Sequence, residues 1–485
     1  MENQETTALF PASKTYIRGG WYSARSGRTF QVQNPYDGAS IAEVPDLSSH
    51  DLEEVVQDAV IAGHAWAKSS VNERSKKLET WYRLIREQKN TLGELLSREQ
   101  GKPLKEAIGE VLYGASFVRW FSQECLRSYG RIIPNARTDH RSTVIKQPIG
   151  PCVAITPWNF PNAMITRKVA PALAAGCSII LKPAEQTPLS ALALAALAEK
   201  AGIPPGLFQV VTTSDPASVG EFLLTHSEIR KVTFTGSSKV GRILMGHAAR
   251  GIKGISLELG GNAPFIIFDD ADMEAALDGL ITAKFRNSGQ TCISANRVFV
   301  QKSIINRVIA GLKERVLKLT HGRGSDNPDI GPLINGDALS KVERLVEDAK
   351  SKGAQLECGG TRGKESQNVY LPTLLSGMTD EMEMFSTEIF GPVLPLYSFE
   401  TEEEVLERAN NTEFGLSAYF YAQDSSRIHR VMEGLESGMV GVNTGFISDA
   451  SAPFGGVKES GLGREGAIEG LDAYQEVKYI CQGGL

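Results

Sequence analysis

The sequence predicts an α/β chain in which two parts are each built on an open, twisted, largely parallel sheet. Three observations predict it. Short apolar runs recur at 152–157, 178–183, 207–213, 231–236 and 254–259, with helix-like stretches between most of them; strands alternating with helices in this way build right-handed βαβ units. The alternation resumes at 264–268, 297–301, 392–399, 417–421 and 439–443, which predicts a second α/β part. The length of 485 residues, 41% of them hydrophobic, suits two or three domains at roughly 150 residues each and supplies a large core.

Taken in order, the first 45 or so residues mix Gly, Asn, Pro and strand formers and predict short strands and turns. Leu52, Val55, Val56, Ala59 and Val60 follow helical spacing, so a helix is expected from Asp51. A second long helix is expected from Asn72 through Glu99. Residues 127–146 break the helical pattern around Pro134 and predict a projecting hairpin. After the two alternating regions, the stretch from Tyr474 to Cys481 reads as a strand without a local partner, free to pair with that hairpin or with another subunit.

Composition narrows the function classes. A net charge of −6 gives no general attraction to nucleic acid or to an anionic membrane. No run of about 18 apolar residues is present, so no transmembrane helix is expected. The N-terminal MENQETTALFPASKTY lacks the basic and apolar regions of a signal peptide. Six cysteines without CxxC pairing fit a reducing, cytoplasmic compartment, and neither they nor the seven histidines show metal-ligand spacing, so no metal is expected.

Two motif matches carry little. Gly461–Gly466 spells GxGxxG but opens no βαβ unit. Gly236–Gly241 has P-loop spacing but Arg242-Ile243 replaces Lys-Ser/Thr, leaving a small-residue turn between strand and helix that suits a pyrophosphate.

Five positions invite chemistry. Cys292, in NSGQTCIS, has small polar neighbours that leave room for a ligand; a thiol there needs a base or positive electrostatics to attack at neutral pH, and its bland alternative is an inert buried thiol. Glu258 ends an apolar run, where a carboxylate is either a general base with a raised pKa or half of a buried salt bridge. Asn159, in TPWNFP, follows a strand at the carboxyl edge, where ligands bind; its amide either donates to an oxyanion or sits in a turn between two prolines. Lys182 and Glu185, in KPAEQTP, occupy the same edge one strand along, where a carboxylate accepts from ribose hydroxyls and repels a 2′-phosphate.

Together these segments resemble the aldehyde dehydrogenase superfamily from about residue 15 to the C-terminus. TPWNFP (156–161), KPAEQTP (182–188), FTGSxxxG (234–241), ELGG (258–261), GQTC (289–292), EIFGPV (388–393) and PFGGxKxSGxGRE (453–465) occur in the family's order. The resemblance implies a Rossmann-like open-sheet NAD-binding domain (1–126 and 147–258), an α/β catalytic domain (259–471) and a small β oligomerisation segment (127–146 and 472–485), assembled as a homodimer or homotetramer. It implies Cys292 as nucleophile, Glu258 as general base and Asn159 as oxyanion donor. Thr156, Pro157, Trp158, Asn159, Lys182, Ala184, Glu185, Gly236, Ser237, Val240, Leu259, Glu388 and Phe390 would form the cofactor cradle, with Lys182 and Glu185 on the adenosine ribose and Glu388 on the nicotinamide ribose. The implied reaction runs through a thiohemiacetal and a thioester on Cys292, hydrolysed with Glu258 as base.

Within the superfamily the chain looks closest to the succinate-semialdehyde branch, through MITRK (164–168), KFRNSGQTC (284–292) and VNTGFIS (442–448). Arg167, Arg286 and Ser448 match the residues that grip the substrate carboxylate there, a task suited to the fixed donor fork of guanidinium. Glutarate semialdehyde, one methylene longer, and broad aldehyde oxidation are the competing substrate readings. Ser294 stands where some relatives carry a second cysteine that forms a redox switch. Glu185 favours NAD, with NADP as the less favoured cofactor.

Overall fold

The computed structural model describes residues 9–364 and 366–485. Residues 1–8, on which part of the signal-peptide expectation rests, lie outside the described residues.

The first sheet runs in the order Gly461–Leu462, Gly254–Glu258, Lys231–Thr235, Cys152–Ile155, Ile179–Lys182, Phe208–Val210. The five expected runs are its parallel strands, and Gly461–Leu462 joins the edge antiparallel. The GxGxxG spelling is therefore an edge strand and turn rather than a phosphate loop. Helices α1 (Ser49–Trp66), α2 (Val71–Glu87), α3 (Lys89–Gln100), α4 (Leu104–Glu124), α5 (Ala163–Ala175), α6 (Leu189–Lys200), α7 (Pro216–Thr225) and α8 (Ser238–Ala248) surround it. Alternate strand residues face opposite layers: Cys152 and Ala154 pack into the core that holds α2, α4, α5 and α6, whereas Val153 and Ile155 pack with α1 and α7. Burial on both faces is why these strands read as unbroken apolar runs.

The helix expected over 72–99 is two helices. Gln88 leaves the helical conformation (φ −94°, ψ 15°) between α2 and α3, and the break redirects the chain so that Leu92, Leu95 and Leu96 enter the same core as Leu78, Trp81 and Ile85.

The second sheet has the order Gln355–Cys358, Thr373–Ser376, Val393–Phe399, Arg297–Gln301, Pro264–Ile267, Ser417–Tyr421, Met439–Val442, parallel except for its first strand. The strands Gln355–Cys358 and Thr373–Ser376 were not expected; the first is exposed and polar, without an apolar run. Helix α9 (Met273–Phe285) and the helix Ile305–Leu317 cover one face and the helix Gly336–Ser351 the other.

The hairpin is present as Arg131–Ile133 and His140–Pro148. The terminal strand, Gln475–Gly483, pairs antiparallel with His140–Pro148 along its whole length, from Gln475↔Pro148 to Gly483↔His140, so the same chain supplies its partner. Before it, Ala450, Leu471 and Tyr474 return to the core of the first sheet. Among the described residues, no helix is long and apolar enough to cross a membrane.

Candidate active site

Three neighbouring strands of the first sheet end side by side, delivering Thr156, Gly236 and Leu259 to one edge. Their loops meet the chain leaving α9 across a cavity of about 280 Å³ lined by Asn159, Arg167, Cys292, Phe390 and Ser448, among others.

The loop that carries Cys292 is held in an unfavourable backbone shape. After α9, Asn287, Ser288 and Gly289 take φ of 52°, 58° and 74° in succession. Left-handed non-glycine residues cost on the order of 1 kcal/mol or more, least for Asn. The surroundings impose the shape. Asn287 Nδ2 donates to the carbonyls of Asn159 (2.9 Å) and Gln290 (3.1 Å), and Ser288 Oγ donates to Gly331 O at 3.0 Å. A Cβ on Gly289 would lie 2.2 Å from Gly391 O, and one on Gly261 would lie 2.3 Å from Cys292 O, so GQTC and ELGG both need glycine for close backbone approach.

Cys292 is half-buried at the cavity wall. Burial, then the Glu388 carboxylate, pushes its thiol up to about 12, while Arg167 and Arg286 pull it down. Asn159 donates through Nδ2 to Gln290 O at 3.1 Å. Glu258 lies just outside the cavity, 2% exposed, and neither carboxylate oxygen has a hydrogen-bond partner. The salt-bridge alternative for Glu258 is thereby removed. Burial, then the neighbouring Glu465 carboxylate, raises its pKa well above the usual range.

Arg167, Arg286 and Ser448, distant in sequence, all line the cavity. Arg167 Nη2 donates to Tyr113 Oη at 2.8 Å; its Nε and Nη1 have no hydrogen-bond partner, and Glu465 stands 3.7 Å from Nη1. The guanidinium is stacked on Phe454, centroid distance 4.0 Å. Arg286 lies between the rings of Phe160 and Phe446, and no carboxylate pairs with it among the described residues.

The expected cofactor residues divide. Pro157, Trp158, Asn159, Gly236, Ser237, Leu259, Glu388 and Phe390 line the cavity; Thr156, Lys182, Ala184, Glu185 and Val240 lie outside it. Lys182 is buried and pairs with Glu185. Glu388 accepts from Gly261 N at 3.0 Å, and burial raises its pKa to about 7. Phe390 has φ of 56° and meets Trp158 edge to face at 5.5 Å.

Sequence reasoning passed over several participants. Tyr113 and Phe454 shape the Arg167 surroundings. Lys168 and Glu465 form a buried ion pair beside Glu258, although both stand inside motifs already noted. The available signal was charge within apolar or glycine-rich sequence, where burial demands a partner.

The model of the aldehyde dehydrogenase family matches residues 21–480. The chain is 50% identical over 473 residues to 3-sulfolactaldehyde dehydrogenase of Pseudomonas putida, covering 97% of each chain. It is likewise 50% identical to glutarate-semialdehyde dehydrogenase of Pseudomonas aeruginosa, over 97% of this chain and 98% of that one. It is 50% identical to the NADP(+) succinate-semialdehyde dehydrogenase of Escherichia coli, over 96% and 97%. The crystal structure of succinate-semialdehyde dehydrogenase from Burkholderia pseudomallei superposes with a TM-score of 0.97 at 47% identity, covering 98% of both chains. With family model, relatives and fold in agreement, this chain belongs to the aldehyde dehydrogenase family and is an NAD(P)-dependent aldehyde dehydrogenase.

Proposed function

We propose that the enzyme oxidises a short ω-carboxy aldehyde, succinate semialdehyde first, to the dicarboxylate. One observation carries the substrate class: Arg286, which no carboxylate pairs with among the described residues, and Arg167, whose Nε and Nη1 make no hydrogen bond and whose Glu465 partner stands 3.7 Å away, share a cavity with Cys292 and Ser448. Two guanidinium forks and a hydroxyl suit a carboxylate. The names of the relatives, which cover succinate, glutarate and sulfolactaldehyde substrates, support an anionic tail.

The residues present fit a nicotinamide dinucleotide. Thr156 Oγ1 and Thr235 Oγ1 are buried without partners, and Gly236 and Ser237 leave open space at the N-terminus of α8. When bound, the dinucleotide supplies the hydride acceptor. Lys182 and Glu185 would hold its adenosine ribose and Glu388 its nicotinamide ribose. As a thiolate, its proton lost to solvent, Cys292 Sγ attacks the aldehyde carbon, and Asn159 Nδ2 donates to the oxyanion of the thiohemiacetal. Once the hydride has left, a thioester remains on Cys292. Glu258 takes a proton from water, which attacks the thioester carbonyl and frees Sγ. We read Glu185 as favouring NAD, because a carboxylate on the adenosine ribose would repel a 2′-phosphate.

We read residues 1–126 and 147–258 as the cofactor domain, 259–471 as the catalytic domain, and 127–146 with 472–485 as the oligomerisation segment of a cytoplasmic homodimer or homotetramer. The exposed Ile132, Val477 and Tyr479 of that segment support assembly. Steady-state kinetics on succinate semialdehyde, glutarate semialdehyde and uncharged butanal, each with NAD and NADP, test the proposal. An equal kcat/KM for butanal would overturn the carboxylate reading. Light scattering that shows a monomer at micromolar concentration would overturn the assembly.

A further inference from the structure

We infer that Lys102, Glu106 and Glu110 are positioning residues that set the oxyanion donor Asn159 against the nucleophile Cys292; the inference rests on the roles proposed for those two residues. All three stand in or just before the first turns of α4, far in sequence from either catalytic loop.

Lys102 Nζ donates to Glu110 Oε2 at 2.5 Å and to the backbone carbonyl of Asn159 at 2.8 Å. Both side chains of this ion pair are 1% exposed. Glu110 uses its other oxygen to accept from Asn162 N (2.8 Å) and Ala163 N (3.1 Å), where α5 begins. The Asn159 loop is thus gripped on both sides by one ion pair, and the Lys102 ammonium also lies 4.0 Å from the centroid of Phe160. One helical turn before Glu110, Glu106 accepts from Asn287 N at 2.8 Å and so holds the start of the nucleophile loop. The loops are cross-tied: Asn287 Nδ2 and Asn159 Nδ2 both donate to Gln290 O, and Asn287 Nδ2 also reaches Asn159 O.

Stability explains this arrangement poorly. A buried ion pair gains little over a well-packed apolar substitute, because desolvation offsets the attraction. Positioning explains where its atoms end. The Asn159 carbonyl, held by two donors, cannot rotate, so the side-chain amide keeps its direction into the cavity. A misplacement of about 1 Å in such a group costs roughly 10²-fold in rate.

The experiment is a double-mutant cycle on the enzyme saturated with NAD, combining Asn159→Ala with the uncharged pair Lys102→Met/Glu110→Gln. The pair variant should lose about 30- to 100-fold in kcat. Its KM for NAD, and the rate of Cys292 alkylation by iodoacetamide, which forms no oxyanion, should stay within about twofold of the parent. Added to Asn159→Ala, the pair should cost less than about threefold more, because residues that act through one another are not additive. Full additivity, or parental kcat in the pair variant, overturns the inference. Parental kcat in Asn159→Ala alone overturns the underlying role of Asn159, which is a distinguishable failure. Should the pair variant be insoluble, Glu106→Ala carries the test: alkylation of Cys292 should change by more than about threefold at unchanged KM for NAD, and an unchanged rate overturns the inference.

Discussion

Glu258 and Glu465 are two buried carboxylates within electrostatic reach of each other, and only Glu465 is paired, with Lys168. Burial, then the neighbouring Glu465 carboxylate, raises the pKa of the unpaired carboxyl and so favours its neutral form. It must lose that proton before it can act as a base, so hydrolysis of the thioester should accelerate as pH rises through its elevated pKa. Glu258→Gln should leave a burst of about one NADH per site and lower the steady-state rate by about 10²–10⁴. Rapid-mixing absorbance at 340 nm measures both; an undiminished steady state rules out the assignment.

The same shift has a sign for stability. The unfolded chain ionises this carboxyl near its ordinary value whereas the folded chain keeps the proton, so the parent loses stability as pH rises from that value to the elevated one. Glu258→Gln lacks this loss. Thermal melts at pH 5 and pH 8 should show the variant gaining on the parent at the higher pH.

Cys292, pushed up to about 12, is a thiol in the free enzyme at neutral pH. Its alkylation by iodoacetamide should increase about tenfold per pH unit from 7 to 10, following the thiolate fraction. A plateau below pH 8 would contradict this environment.

Lys284 is wholly buried, its amine has no hydrogen-bond partner among the described residues, and burial pushes its pKa down to about 7. Below pH 7 the folded state bears the full cost of an unpaired buried ammonium; the cost fades as pH rises toward the ordinary lysine value, where the unfolded chain also sheds its proton. Lys284→Met should therefore stabilise the protein by on the order of a few kcal/mol below pH 7 and by little near pH 10. Urea unfolding across that range measures the difference; destabilisation at pH 6 would mean that the amine has a partner.

Arg286→Leu removes one fork of the proposed clamp. A hydrogen bond to a charged group contributes about 1.5–3 kcal/mol, so kcat/KM for succinate semialdehyde should fall about 10- to 150-fold. Butanal should change by less than about threefold, since it makes no such bond. Equal losses on both substrates would place Arg286 in the general architecture of the site.

Glu185, tied to Lys182, is the charge proposed to meet a 2′-phosphate. Glu185→Ser frees Lys182 and should raise kcat/KM for NADP about tenfold, with NAD falling. An unchanged NADP/NAD ratio would remove Glu185 from cofactor choice.

Much of this enzyme is legible in its sequence because the informative patterns are local. Each parallel strand of the first sheet is an apolar run, since burial on both faces leaves no polar alternation, and Cys292, Glu258 and Asn159 each stand in a short motif whose residues act together. Exposed or short elements escaped: Gln355–Cys358 is polar, and the break at Gln88 depends on where α3 packs.

Sequence by itself determined the two parallel sheets, the motif set and the family they resemble. Tertiary structure alone decided that Glu258 is unpaired, that the terminal strand pairs with His140–Pro148, and that Lys102 and Glu110 hold the Asn159 loop. The physical reason is range. Strand periodicity and turn chemistry act over a few residues and can be read along the chain. Whether a buried charge finds its partner depends on groups that only folding brings together, such as Lys102 and Asn159, which stand 57 residues apart.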